Sequence, residues 1–199
     1  MLLVLGLACR ILEPGAKPQA TVFINRLPTI TPTPVKAFSI QEAWQQAQPE
    51  LTKWAVDAKP GDEWTCQGVV TPEGLCTKWY GLVGTASQQK AASLKIEGSE
   101  IQLSDTAAIG RAIDNSFSMS DLVDSPIVVQ QAMQWLEKQG LRETNTKIRS
   151  LALLSNANAL KNCGNVALPA VYQVGVHNPQ GRVCLDPTNG QVVFSTVMR

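Results

Sequence analysis

Five thiols and one imidazole are the side chains of this 199-residue chain with the most chemistry to offer: Cys9, Cys66, Cys76, Cys163, Cys184 and His177. A structural zinc site wants cysteine and histidine ligands paired a few residues apart. Here nine or more residues separate each cysteine from the next and His177 has no second imidazole, so no metal is expected. An odd cysteine count leaves one thiol outside any complete set of bridges. Cys9 stands apart from the others, and without it four remain, which allow three connectivities. Cys66 and Cys76 flank "QGVVTPEGL", two β-prone stretches around Thr71-Pro72-Glu73-Gly74, where Pro second and Gly fourth suit a type I turn. A hairpin there faces the two thiols across the strands. Cys163 in "LKNCGN" and Cys184 in the strand-like "GRVCLD" would pin a loop to a sheet. The preferred pairing is therefore 66 with 76 and 163 with 184; the competing readings are a metal site and reduced, buried thiols in a cytosolic protein.

Catalysis finds little to work with. His177 lies in "GVHNPQGR" beside an Asn-Pro-Gln-Gly turn, and no serine occupies the Gly-x-Ser-x-Gly setting that a Ser-His-Asp hydrolase needs. Asp62, Glu63 and Glu73 could converge near the first hairpin, but acids around a turn are ordinarily solvated. Phosphate-binding loops, dinucleotide fingerprints and calcium loops do not occur. No catalytic residue and no cofactor are expected, and the chain is read as acting by binding. Trp64 and Trp79, on either side of the Cys66/Cys76 hairpin, are the candidate partner surface, the alternative being that they cover the bridge. Trp44, Trp54 and Trp135 fall on helices and are assigned to the core or its edge.

Leu2 to Ala8 is an apolar run that ends in a small residue before Cys9. It resembles the end of a bacterial lipoprotein signal peptide, in which the cysteine becomes the lipid attachment point. Gly6 stands where a leucine is usual, no basic residue precedes the run, and the run is short for a signal peptide core. It is also too short for a transmembrane helix, which needs about 20 apolar residues. Five of the twelve prolines then fall between residues 14 and 34, a Pro/Thr-rich composition that favours extended polyproline geometry. Thirty such residues reach roughly 90 Å, enough for a tether.

The remaining chain alternates between helical and strand patterns. In "SIQEAWQQAQPELTKW", Ser39 and Glu42 form the reciprocal capping pair, and Ile40, Ala43, Trp44, Ala47, Leu51 and Trp54 share one face, with a kink expected at Pro49. In "DSPIVVQQAMQWLEKQG", Ser125 is the expected cap, Pro126 the first helical residue and Gly140 the stop. A shorter connector helix is expected over 105–117. Strand patterns follow each long helix: "EWTCQGVV", "CTKWYGLVG", "ASLKIEG" and "EIQL" after the first, "KIRSLALLS", "AVYQVGV", "GRVCLD" and "QVVFSTV" after the second. Sliding the chain by 92 positions lays Tyr80 on Tyr172, Leu82 on Val174, Gly98 on Gly190 and Ile101 on Val193, a weak internal repeat.

The closing "GRVCLDPTNGQVVF" places Asp186, Thr188, Gly190 and Val192 in the order of the last hairpin of the PepSY family, which the chain resembles over residues 125–196, with the helix "SPIVVQQAMQWL" in the matching place. Residues 39–103 resemble it more distantly, because "LKIEGSEIQL" has Glu97 and Gly98 without the Asp-led turn. The resemblance implies a PepSY/cystatin-like α+β fold in two repeated units, each an amphipathic helix on a small antiparallel sheet. It also implies a non-catalytic module of the bacterial envelope, in a family associated with inhibiting or chaperoning peptidases and with cell-wall regulation.

The organisation expected is a signal-like segment at 1–9, a tether at 10–38, a first unit at 39–104, a connector at 105–124 and a second unit at 125–199. The net charge of +1 lacks the basic surplus of a nucleic-acid binder, and no nucleic-acid partner is expected. Charge is nevertheless uneven: residues 1–38 carry net +3, residues 39–105 net −4 and residues 106–199 net +2. The partners expected are a membrane, through the N-terminal lipid, and an envelope protein, at an extracytoplasmic location, the chain being lipid-anchored or secreted. Three other readings compete: an inhibitor or chaperone of an envelope peptidase, an enzyme with a cleft between the units, and a cytosolic structural protein.

Overall fold

The structure, a computed structural model, describes residues 35–107 and 117–197. Helix α1 (Ile40–Trp54) starts at the expected capping box: the Glu42 N–H donates to Ser39 Oγ at 3.2 Å and the Ser39 N–H to Glu42 Oε2 at 2.8 Å. Its apolar stripe of Ile40, Ala43, Ala47 and Leu51 is buried. Four strands follow: β1 (Lys59–Cys66), β2 (Lys78–Thr85), β3 (Lys90–Glu97) and β4 (Glu100–Thr106). After a single 3-10 turn at Met119–Asp121, helix α2 (Ser125–Lys138) leads to β5 (Lys147–Leu154), short helix α3 (Ala157–Asn162), β6 (Val171–His177), β7 (Gly181–Leu185) and β8 (Val192–Ser195). The first two residues of the expected connector helix, Asp105 and Thr106, extend β4 instead, and 108–116 lie outside the described residues.

The fold is α+β, but the two small sheets expected are one. All eight strands form a single antiparallel sheet in the order β4-β3-β2-β1-β5-β6-β7-β8, joined where β1 pairs with β5. Each of those strands would otherwise end its own sheet with a row of unpaired backbone groups, and pairing them covers those edges over Glu63–Thr65 and Ala152–Leu154. One row crosses the whole sheet, with Leu103, Leu94, Gly81, Trp64, Leu153, Tyr172, Leu185 and Val192 in register side by side. Both long helices cover this face, and their buried stripes join the sheet residues in one continuous core. On the opposite face α3 closes a smaller cluster of Cys163, Val171 and Cys184 with Leu160, Val166, Leu168 and Phe194.

Helix α2 is capped one residue earlier than expected. The Asp124 carboxylate accepts from the Ser125 N–H at 2.8 Å, and Ser125 turns inward instead. Gly140 does end the helix, at φ +65°. Phe38, assigned to the tether, is a core residue: it is 1% exposed and exchanges backbone hydrogen bonds of 2.9 and 3.0 Å with Cys76.

Candidate functional site

Beyond Thr65, β1 parts from β5. Their register runs through Glu63–Leu154, Trp64–Leu153 and Thr65–Ala152 and stops there. The chain after Cys66 stays with β2 instead, where the Gln67 and Gly68 N–H groups both donate to the Lys78 carbonyl, at 2.9 and 3.3 Å. The Thr77 N–H donates to the Val69 carbonyl at 3.2 Å, and Val70 bridges Cys76. The expected turn closes this arm, with the Gly74 N–H donating to the Thr71 carbonyl at 2.9 Å and Gly74 at φ +82°. The Cys66–Cys76 disulfide, with Cα atoms 5.8 Å apart, clamps the arm at its base.

Strand β5 pairs with β6 from Lys147 onward, yet on the β1 side Lys147–Leu151 has no strand partner among the described residues. The two strands thus form a fork, and α2 supplies its third wall through Ile127, Gln130 and Met133. The groove encloses about 960 Å³. Val70, Met133 and Ile148 pack into the core below it, whereas Val69 and Ile127 stand at the lips 68% and 48% exposed. Glu73, Lys147 and the Glu137–Arg142 ion pair, at 3.0 Å, supply the charges of its wall. Alternate residues along an antiparallel strand aim N–H and C=O at the same edge. The fork therefore offers apolar surface together with backbone donors and acceptors, which is the chemistry that recognises an extended peptide.

Of the residues singled out from sequence, Glu73 lies on the groove wall and the Cys66–Cys76 bridge at the base of its arm, and the others fall elsewhere. Trp64 and Trp79 do not form an exposed surface: both are 0% exposed. Trp64 lies edge-on to Trp44 at 5.6 Å between ring centres, and the Trp79 indole N–H donates to the Phe38 carbonyl at 3.0 Å. They point inward because alternate positions of β1 and β2 face the helices. Both expected disulfides are present, and Cys163–Cys184, with Cα atoms 5.9 Å apart, fastens the end of α3 to β7. Cys9 lies outside the described residues. His177 is exposed at the end of β6, in register with Lys147. Asp62 and Glu63 lie in β1 and Glu73 on the groove wall. No group of three or more His, Cys, Asp or Glu side chains placed to hold a metal occurs among the described residues. The groove-lining Ile127 was legible in principle, as an apolar residue beside the stripe that α2 buries.

Asp57, in the turn between α1 and β1, accepts hydrogen bonds from the Thr85 hydroxyl and, at 3.1 Å, from the Ser87 N–H. These donors, Thr85 foremost, hold its pKa at about 2. The Tyr172 hydroxyl donates to the Val123 carbonyl at 2.9 Å; burial, and then the nearby Asp124 carboxylate, push its pKa well above the ordinary phenol value.

No family model matches the chain, and no curated protein matches it. Among solved structures the chain is similar to a candidate lipoprotein from Clostridium difficile 630, at 12% identity and a TM-score of 0.47, across 78% of this chain and 93% of that one.

Proposed function

We propose that this chain is a non-catalytic binding protein of the bacterial envelope, anchored through a lipid on Cys9, that takes an extended segment of a partner protein into the fork between β1 and β5. The observation that carries the reading is the edge of β5 from Lys147 to Leu151, which has no strand partner among the described residues and whose first residues, Lys147 and Ile148, line a groove lipped by exposed Val69 and Ile127. An added strand of about five residues would satisfy that edge while its alternate side chains enter the groove. A basic residue facing Glu73 and an acidic one facing Lys147 would set its direction.

Location rests on chemistry that belongs outside the cytosol. Two disulfides persist in oxidising compartments. The apolar run before Cys9 and the Pro/Thr-rich stretch after it are the parts of an anchor and a tether. The body is read as two PepSY-like units, a helix followed by four strands in each half, and the Asp186 turn favours that reading. Its carboxylate accepts from the Thr188 N–H at 2.8 Å, and the Gly190 N–H donates to the Asp186 carbonyl at 2.8 Å with Gly190 at φ +73°.

Selection of peptides on the full chain from a random display library, followed by hydrogen exchange on the complexes, tests the function. Selected peptides should protect amides within 147–151 and lose binding to V69D and I127E. Peptides that protect other segments, or that bind both variants unchanged, would overturn it.

A further inference from the structure

The opposite face of β5 carries a second feature, independent of the fork. The β5–β6 register passes from Ile148–Val176 directly to Ser150–Gly175, so Arg149 is an extra residue in a β-bulge. A bulge sets two residues of one strand against one of its partner. Arg149 and Ser150 therefore both oppose Gly175, and Gly175 is in turn paired with Arg182 of β7. The neighbouring row, Leu151–Val174–Val183, belongs to the core, so this one faces away from the long helices.

Gly175 keeps the middle of the row bare. A Cβ there would stand 2.2 Å from Ser150 Oγ. The resulting trough, about 470 Å³, is lined by Arg149, Ser150, Gln173, Gln180, Arg182 and Thr196 and, among the described residues, by no carboxylate. Of the three described arginines, Arg142 has its carboxylate in Glu137, whereas neither Arg149 nor Arg182 has an ion-pair partner among the described residues.

Two arginines that line one trough with hydroxyl- and amide-bearing side chains, with no acid beside them among the described residues, match an oxyanion carrying more than one charge. We infer that this trough binds a phosphate group, held between Arg149 and Arg182. The phosphate of a soluble compound and that of a lipid headgroup present the same chemistry to it.

Inorganic phosphate titrated into the full chain at constant ionic strength, followed by amide NMR, tests the site. Vesicles of phosphatidylcholine with and without phosphatidic acid form a second arm. The expected result is saturable binding that shifts the amides of Gly175 and Arg182, weakened about tenfold or more in R149Q and in R182Q. R142Q, which removes one positive charge from the fork instead, should leave it unchanged. Saturation by soluble phosphate alone assigns the site to small phosphorylated compounds; binding enhanced by phosphatidic acid and lost in R149Q/R182Q assigns it to lipid. Saturation in neither arm, persistence in R149Q/R182Q, or an equal loss in R142Q overturns the inference.

Discussion

The backbone N–H of Ile40 donates to the buried hydroxyl of Ser125 at 3.1 Å, across 85 positions of sequence, and that hydroxyl donates onward to the carbonyl of Gly74 at 2.9 Å. One side chain thus ties the start of α1, the start of α2 and the hairpin of the fork. Gln41 reinforces the joint, its N–H donating to the Asp124 carboxylate at 3.2 Å and its amide to the Leu122 carbonyl at 2.6 Å. Ser125→Ala leaves a buried donor and a buried acceptor without their partner, at a cost of about 2 kcal/mol. Urea unfolding of the full chain would measure it; a loss within experimental error would mean that the joint does not contribute.

The elements were largely legible, because period-two and helical patterns depend on residues close in sequence. Each of the eight strands overlaps a stretch marked by alternation, and both long helices start within a residue of the expected position. The single sheet was not legible, since the pairing of Trp64 with Leu153 joins positions 89 apart and leaves no local trace. Nor was the facing of individual residues. The 92-residue slide matches Tyr80 with Tyr172, yet Tyr80 is half-exposed on the outer face and Tyr172 is fully buried in the core. In the sheet, Gly81 occupies the place beside Trp64 that Tyr172 occupies beside Leu153. Large and small have changed strands between these two neighbouring pairs, which hides the correspondence from a residue-by-residue match. The fork escaped for a related reason: it is made by the place where a pairing stops.

That exchange of volumes makes a prediction at Gly81. A Cβ there would meet Trp64 Cε2 at 2.4 Å, in the middle of the apolar row. Gly81→Ala should destabilise by about 1–3 kcal/mol through overpacking. Adding Trp64→Leu should recover part of the loss, so that the double variant is more stable than the two single effects sum to. A double-mutant cycle of denaturation midpoints measures the coupling, and strict additivity would show that the Gly81–Trp64 contact is not what limits the site.

The two disulfides differ in access. Cys163 and Cys184 are both 0% exposed beneath α3, whereas Cys66 is half-exposed at the base of the fork. Exchange requires an attacking thiolate to reach a sulfur, so a mild reductant should open Cys66–Cys76 first. Alkylation and peptide mass mapping after graded reduction would show the order. Simultaneous opening would mean that reduction follows global unfolding. Cys66→Ser/Cys76→Ser should also weaken peptide capture in the fork, while Cys163→Ser/Cys184→Ser should act on stability, typically by about 2–4 kcal/mol.

Asp57 sets a limit on acid stability. Its carboxylate fastens the α1–β1 turn to Thr85 and Ser87, and its pKa falls from 3.8 to about 2 on folding. A depressed carboxylate pKa stabilises the fold above the unfolded value, and the contribution disappears as pH falls through the folded one. The stabilisation from Asp57 is therefore fully present near neutrality and should decline as pH drops from the ordinary carboxylate value of 3.8 to about 2. Asp57→Asn removes the charge at every pH. Its denaturation midpoint should lie below that of the parent at neutral pH, and the two should converge at the acid end of that window. NMR titration of the Asp57 carboxyl carbon checks the same point directly: a midpoint near 3.8 would show that the Thr85 and Ser87 donors do not hold the charge in solution.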